Sequence, residues 1–475
     1  MRGIAAGLIV AGLIAGQISV RASEHPSEHV SGHASEQKKS DKDNKADQKS
    51  TRELREKEAE DKAAEQQESY YKLVEYADGL YRDDKSPFRV EVDKQYRDLM
   101  RAHGDRAYRV NLSATSEIKF IMEDRFRIYS GLYDNLLIQD VVNTLGQKVA
   151  PTPSPHLFAF KLIADPIPYA EALSTGTIYI STGLVALLEN EAQLAYVLAH
   201  EAAHVHRNHW FHRVQLGAAQ PYYDAEKGSA VGQTRDNIIK RIPPTMGAVF
   251  GFGRKGGAVA QALTVGTAYA TAAVLKATEV GRLNVDWVKE EEDEADQVAF
   301  NAMLDANYNV NQITKLYVRL ADVARLDERS TLGFMGNPQR VSERHENTKL
   351  LLQTNQEKMK GMVLKGDGGE FKTLMAELKR DNGILAYHYD MLQVARENLQ
   401  EAVDARDTDP GALYYYAKVL KLVGKDDSER AEASEYFVKA IKQDRRNENF
   451  GAHLHHATAL LASPDPGRKK QASGA

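Results

Sequence analysis

Cysteine is absent from this 475-residue chain. That single absence excludes a disulfide framework, a thiolate nucleophile, a thiolate metal site and a lipid attached through sulfur. It does not exclude an oxidising compartment, because a chain of this length buries a large core without cross-links. Basic charge is not in excess either. The formal net charge is −5 and the pI is near 6.3, so bulk electrostatics make no case for nucleic acid as a partner. Strongly apolar runs of membrane-spanning length are scarce. Gly3 to Val20 is uncharged but diluted by Gly and Ala, and Gly256 to Leu275 is uncharged but built of Gly, Ala and Thr.

What the chain does contain begins with Met1-Arg2, an apolar stretch and the small residues around Ala22. This reads as a secretory signal peptide over residues 1–22, with an uncleaved N-terminal anchor as the alternative. Either reading makes the rest of the protein exported. Residues 23–69 are Ser, Lys, Asp, Glu and Gln with few large apolar side chains, the composition of a disordered charged tether. A helical extension follows over residues 70–112.

Further along, Ile118, Ile121, Met122, Phe126, Ile128 and Leu132 recur as on a helix, and Leu136, Leu137, Val141, Val142, Leu145 and Val149 do so again. Phe158 to Ile163 and Thr177 to Ser181 read as strands.

The chemistry lies in the segment from Glu191 to Trp210, EAQLAYVLAHEAAHVHRNHW. Asn190 and Gln193 are spaced as a capped helix start. On that helix His200 and His204, four apart, share a face and can ligate one metal ion, while Glu201 beside them can take a proton from metal-bound water. Zinc needs a third protein ligand. His206 points away from the pair by helical phase, and His209 and His212 lie further along as secondary or surface groups. The donor is sought in the acidic run from Lys289 to Asp296, where Glu292 and Asp296 share a helix face. Glu292 is read as the ligand and Asp296 as the acceptor for the outer ring proton of a ligand imidazole.

With these motifs in view, the chain resembles the HtpX-like and BepA-like metallopeptidases, relatives of the CAAX prenyl proteases. That family pairs His-Glu-x-x-His with a later Glu-x-x-Ala-Asp, here His200 to His204 and Glu292 to Asp296. The resemblance runs from about Ser113 to Leu352. It implies an α+β, mainly helical gluzincin-type domain with a small sheet, one Zn2+ per chain, and protein or peptide substrates lying against an edge strand. The stretch Ala172 to Val185 is similar to the family's edge-strand region, which makes Thr177, Ile178, Tyr179, Ile180 and Ser181 the expected substrate strand. Where the family has His-Pro before Glu-Arg, this chain has Asn337-Pro338 before Glu343-Arg344. Asn337 and Arg344 are therefore candidates to stabilise the transition state.

Two regions remain. Residues 247–280 form either a lid over the site or a membrane-associated segment. In the C-terminal part, Leu399, Ala402 and Val403 recur as Phe437, Ala440 and Ile441, 38 positions later. The pattern resembles tetratricopeptide repeats, which bind protein partners. The chain thus divides into the signal (1–22), the tether (23–69), the helical extension (70–112), a zinc metallopeptidase domain (113–352), a connector (353–383), TPR-like repeats (384–465) and a tail (466–475). The expected function is zinc-dependent endoproteolysis of envelope or misfolded proteins in a bacterial periplasm. A periplasmic chaperone or adaptor with structural zinc is the alternative.

Overall fold

Helices form where the apolar recurrence predicts them, and their ends are set by identifiable side chains. The computed structural model describes residues 65, 67–116, 118–120, 127–129, 131–228, 285–326, 338–366, 368–445, 450–462 and 466–471. The expected signal peptide, most of the tether and the 247–280 segment lie outside the described residues. Residues from Gln67 onward cluster as one unit.

The chain enters through α1 (67–81) and α2 (Pro87–Ser116). These pack with α6 (His209–Gly228) around Leu73, Ala77, Phe88, Val92, Leu99, Val214 and Leu216. Where the expected helix from Ile118 to Leu132 falls on described residues, the chain is extended over 118–120 and 127–129. Strands β1 (Ile118–Phe120) and β2 (Arg127–Tyr129) pair antiparallel instead. The β-branched and aromatic residues Ile118, Phe120, Ile128 and Tyr129 favour extended backbone, and their alternation outweighs a loose recurrence at helical spacing.

α3 (Leu136–Val149) is capped by Asn135, whose side chain accepts from the Ile138 amide. Its buried face is Ile138, Val142, Leu145 and Val149, while Leu136 and Leu137 are exposed. Beside α3 lies a sheet of β3 (Ala159–Ile163), β4 (Ala170–Ala172) and β5 (Thr177–Ser181) in the order β3-β5-β4. β5 pairs parallel with β3 and antiparallel with β4. Thr177 to Ser181 is therefore the central strand, and the expectation that it is the substrate edge is corrected. The tight turn at Gly176, with φ +88°, returns the chain so that the short Ala170-Glu171-Ala172 segment takes the outer place. The outer edge of β3 is closed from α3: Gln139 accepts from the Leu162 amide and donates to the Phe160 carbonyl, and the Phe160 amide donates to Asn143.

Ser181 caps α4 (Thr182–Leu187), which leads into α5 (Glu191–His206). Gly183 is required where α4 starts, since a Cβ there would lie 2.4 Å from the Pro166 carbonyl oxygen. α7 (Val285–Asp305) lies against α5, and α8 (Gln312–Leu326) and α9 (Pro338–Thr354) complete the layer.

Residues 353–383, expected as a polar connector, are mostly helical. They form α10 (Gln356–Met359), α11 (Glu370–Leu374) and the start of α12 (Ala376–His388). Phe371, Met375 and Leu378 enter the main core, so this stretch packs with the helices before it. α13 (Leu392–Ala405), α14 (Pro410–Val423), α15 (Asp427–Gln443) and α16 (Phe450–Ala462) pack in succession, and α17 (Pro466–Gln471) ends the described chain. Leu399, Ala402 and Val403 and their counterparts Phe437, Ala440 and Ile441 all face one second core.

At the junction between the two cores, Asp165 is buried, with Oδ1 accepting the Ile167 amide and Oδ2 without a partner among the described residues. Burial pushes its pKa up to about 7. A carboxyl raised in the folded state stabilises the fold fully below its unfolded pKa, and that stability is lost as pH rises through about 7. Asp165→Asn keeps the bond from Ile167 and carries no charge. Urea unfolding is expected to give similar stabilities near pH 4 and to favour the variant above pH 7 by about 4 kcal/mol; equal stabilities at pH 8 would contradict the assignment.

Candidate metal centre

α5 is built to carry buried polar groups. Its cap is reciprocal: Asn190 accepts from the Gln193 amide, and Gln193 accepts from the Glu189 amide. Every residue from Ala192 to Val205 is buried, so His200, Glu201 and His204 sit inside the protein and must find partners there.

They find them on α7. His200 Nε2 lies 3.1 Å from Glu292 Oε2 and 3.1 Å from His204 Nε2, and His204 Nε2 lies 3.4 Å from Glu292 Oε1. Four ligands placed tetrahedrally about a zinc ion, each about 2.0–2.1 Å away, are about 3.3 Å from one another. The spacing of the two ring nitrogens and the Glu292 carboxylate thus fits one such ion with a coordination position left over. Among the described residues this is the one His, Cys, Asp and Glu group with that property.

The electrostatics agree with the geometry. Burial alone lowers the His200 pKa, but Asp296 and Glu292 outweigh it and bring it to about 9. The site therefore favours positive charge among these donors. Burial opposes charge on Glu292 as well, yet His204, His200 and Arg344 hold its carboxyl well below the usual range. Burial drives His204 well below the ordinary imidazole value, which leaves it neutral. Glu201 is raised to about 7 by burial, opposed by His200 and reinforced by Glu292 and Glu171.

A second set of contacts fixes the rings. His200 Nδ1 donates to Asp296 Oδ1 at 2.8 Å. Asp296 in turn accepts from Arg344 Nε at 2.8 Å and Nη2 at 2.7 Å, from the Tyr196 hydroxyl at 2.6 Å and from the Tyr317 hydroxyl at 3.2 Å. Arg344, a sequence candidate for transition-state stabilisation, spends two nitrogens on this carboxylate. Asn337, the other candidate, lies outside the described residues. Neither tyrosine was singled out from the sequence, and no local spacing points to Tyr317. Tyr196 precedes His200 by four residues and so stands on the same face of α5, a signal that was available.

His209 holds the other ring. α5 ends at His206, and two residues on Asn208 has a φ of 54°, the left-handed conformation that Asn tolerates. The chain turns there and α6 begins, bringing His209 Nδ1 to 2.8 Å from His204 Nδ1. His209 Nε2 lies 3.1 Å from Glu294 Oε2. One arrangement of protons satisfies all three groups: His204 donates to His209, and His209 donates to the Glu294 carboxylate. Extrapolating one straight helix through Asn208 conceals this contact. His206 and His212 are outside the metal-ligating group.

Each acid of the run Glu290 to Asp296 has its own partner, so the run is not a solvated face. Glu290 accepts from Tyr71, Glu291 from Arg213, and Asp293 from Arg340. The remaining three carboxylates serve the histidines.

Two facing helices present His200, His204 and Glu292 to one point, a group that can hold a metal ion. Residues 134–354, a little under half of the chain, match the model of Peptidase family M48. A Vibrio cholerae serotype O1 protein bearing the name beta-barrel assembly-enhancing protease is 25% identical over 170 residues, which are 35% of this chain and 29% of that relative. The chain therefore spans well under a third of that relative's length in the match. A zinc ion is the cofactor of the family, and the donor set described above suits it.

The relay from Glu294 through His209 to His204 predicts a change in metal affinity. His209→Ala should weaken zinc binding about tenfold or more, measured by chelator competition on the folded protein. An unchanged affinity would show that the relay is idle.

Proposed function

We propose that this chain is an exported zinc endopeptidase acting on extended or misfolded polypeptides. The observation that carries the reading is the convergence of His200, His204 and Glu292 within hydrogen-bond range of one another, with Glu201 buried next to His200 on α5. A zinc ion bound there supplies Lewis acidity to a peptide carbonyl and to a water. Glu201 is the general base and then the proton donor to the leaving amine, buried beside His200 on the same turn of α5. Asp296 and His209 orient the two imidazoles, and Arg344 orients Asp296.

The substrate strand is β4, not β5. β3 is closed by α3 and β5 is central, so an extended peptide adds to the sheet beyond Ala170 to Ala172. The C-terminal helices α13 to α16 are read as TPR-like and as the surface that recruits protein partners. The name of the Vibrio relative supports a role in envelope protein assembly or quality control, and with it a periplasmic location. Among the described residues no helix is long and apolar enough to cross a membrane.

Glu201→Gln tests the reading. Cleavage of an unfolded protein should fall by at least two orders of magnitude while zinc content stays at that of the wild type. If the wild type cleaves nothing, and its cellular role survives Glu201→Gln, the chaperone or adaptor reading replaces this one. Replacing Glu292 by Ala should remove the zinc, whereas Glu290→Ala should not.

A further inference from the structure

The register of β4 against β5 determines which main-chain groups a substrate can reach. The Ser181 amide donates to the Tyr169 carbonyl and the Leu173 amide to the Thr177 carbonyl. Residues 169, 171 and 173 therefore turn their amides and carbonyls toward β5. The alternate residues Ala170, Ala172 and Ser174 turn theirs outward. An added peptide strand has to pair with those outward groups.

Two of them are already taken by side chains. Trp210 Nε1 of α6 donates to the Ala172 carbonyl at 2.7 Å. The Ser174 amide donates to His103 Nδ1 of α2 at 3.1 Å, and Ser174 Oγ lies 2.9 Å from the same nitrogen. The rings of His103 and Trp210 meet edge to face at 4.8 Å. One turn further along α2, Arg106 forms a two-pronged ion pair with Glu171, the middle residue of β4. His103 and Glu171 are buried by these contacts.

We propose that α2 is a displaceable cover on the substrate strand, so that the resting enzyme is autoinhibited. The proposal rests on the peptidase reading and on β4 as its substrate edge. Binding of an extended polypeptide then requires His103 and Arg106 to leave β4, with Trp210 giving up the Ala172 carbonyl. The hydrogen bonds and the ion pair that break are replaceable in kind. An incoming strand offers a carbonyl to the Ser174 amide and an amide to the Ala172 carbonyl, and Glu171 regains water. The exchange is close to balanced, which is what a reversible cover needs.

Two readouts on His103→Ala/Arg106→Ala test this. In the Glu201→Gln background, fluorescence anisotropy of a labelled, carboxymethylated unfolded protein reads binding alone. With Glu201 intact, the same substrate reads kcat/KM. The cover predicts about tenfold tighter binding and a comparable rise in kcat/KM carried by KM. A second variant, His103→Cys/Ser174→Cys, introduces the chain's only thiols. Its oxidised form should bind at least tenfold more weakly than its reduced form. Unchanged or weaker binding by the double alanine variant with native circular dichroism and zinc content overturns the cover, as does an oxidised lock that binds as well as the reduced form. Tighter binding without any Glu201-dependent cleavage supports the cover and overturns the peptidase reading. Cleavage that depends on Glu201 but ignores both variants overturns the cover alone.

Discussion

The architecture depends on the cost of burying carboxylates. Glu291 and Asp296 are both nearly removed from water, and an unpaired charge in such a place costs several kcal/mol. The helices around them are arranged to meet that cost. α5 brings His200, His204 and Tyr196, α6 brings His209 and Arg213, α8 brings Tyr317, and α9 brings Arg344. Any of these elements displaced by a few ångströms leaves a charge orphaned, so packing and metal geometry are solved together. Ala295 and Ala299 on α7 and Ala199, Ala202 and Ala203 on α5, all buried, keep the two helices close enough for the side chains to meet.

This coupling explains the asymmetry between the two histidines. His200 is oriented by a carboxylate that four donors surround, which holds Asp296 ionised despite its burial. His204 is oriented by another imidazole, and the carboxylate stands one step further away on the half-exposed Glu294. The positive charge of Arg344 lies on the His200 side, between Asp296 and Glu292. One ligand ring is thus held by a charged clamp and the other by a softer relay.

How much of this was legible in the sequence follows from how local each feature is. His200, Glu201 and His204 lie within one helical turn, and their shared face follows from the period of the helix. Glu292 and Asp296 could be singled out from an acidic run because four-residue spacing again selects a face. The sheet order was not legible. Thr177 to Ser181 has the β-branched alternation of a strand, but centre and edge differ in what lies beside them, and Ala170-Glu171-Ala172 is too short and too weakly β-forming to stand out. The β1–β2 pair was missed because a recurrence at helical spacing is easily met by chance in a short segment. Whether His209 supports the site or lies on the surface was not legible, because one residue, Asn208, adopts a left-handed conformation that no periodicity reports. Local spacing survives translation into structure, and direction after a break does not.

The two edges of the small sheet are closed in different ways, and the difference has a mechanical meaning. β3 is sealed by the amides of Gln139 and Asn143 from α3, a helix whose opposite contacts lie in the main core with Val142, Leu145 and Val149. Opening that edge would break the core. β4 is sealed by His103 and Arg106 from α2, which belongs to the separate cluster around Leu73, Val92 and Leu99. Here the seal is polar and the apolar support lies elsewhere, so α2 can lift without exposing the core that holds α5 and α7. A sheet with one permanent seal and one removable seal has a defined side for a guest strand. That side lies within electrostatic reach of Glu201, since Glu171 on β4 contributes to the raised pKa of its carboxyl.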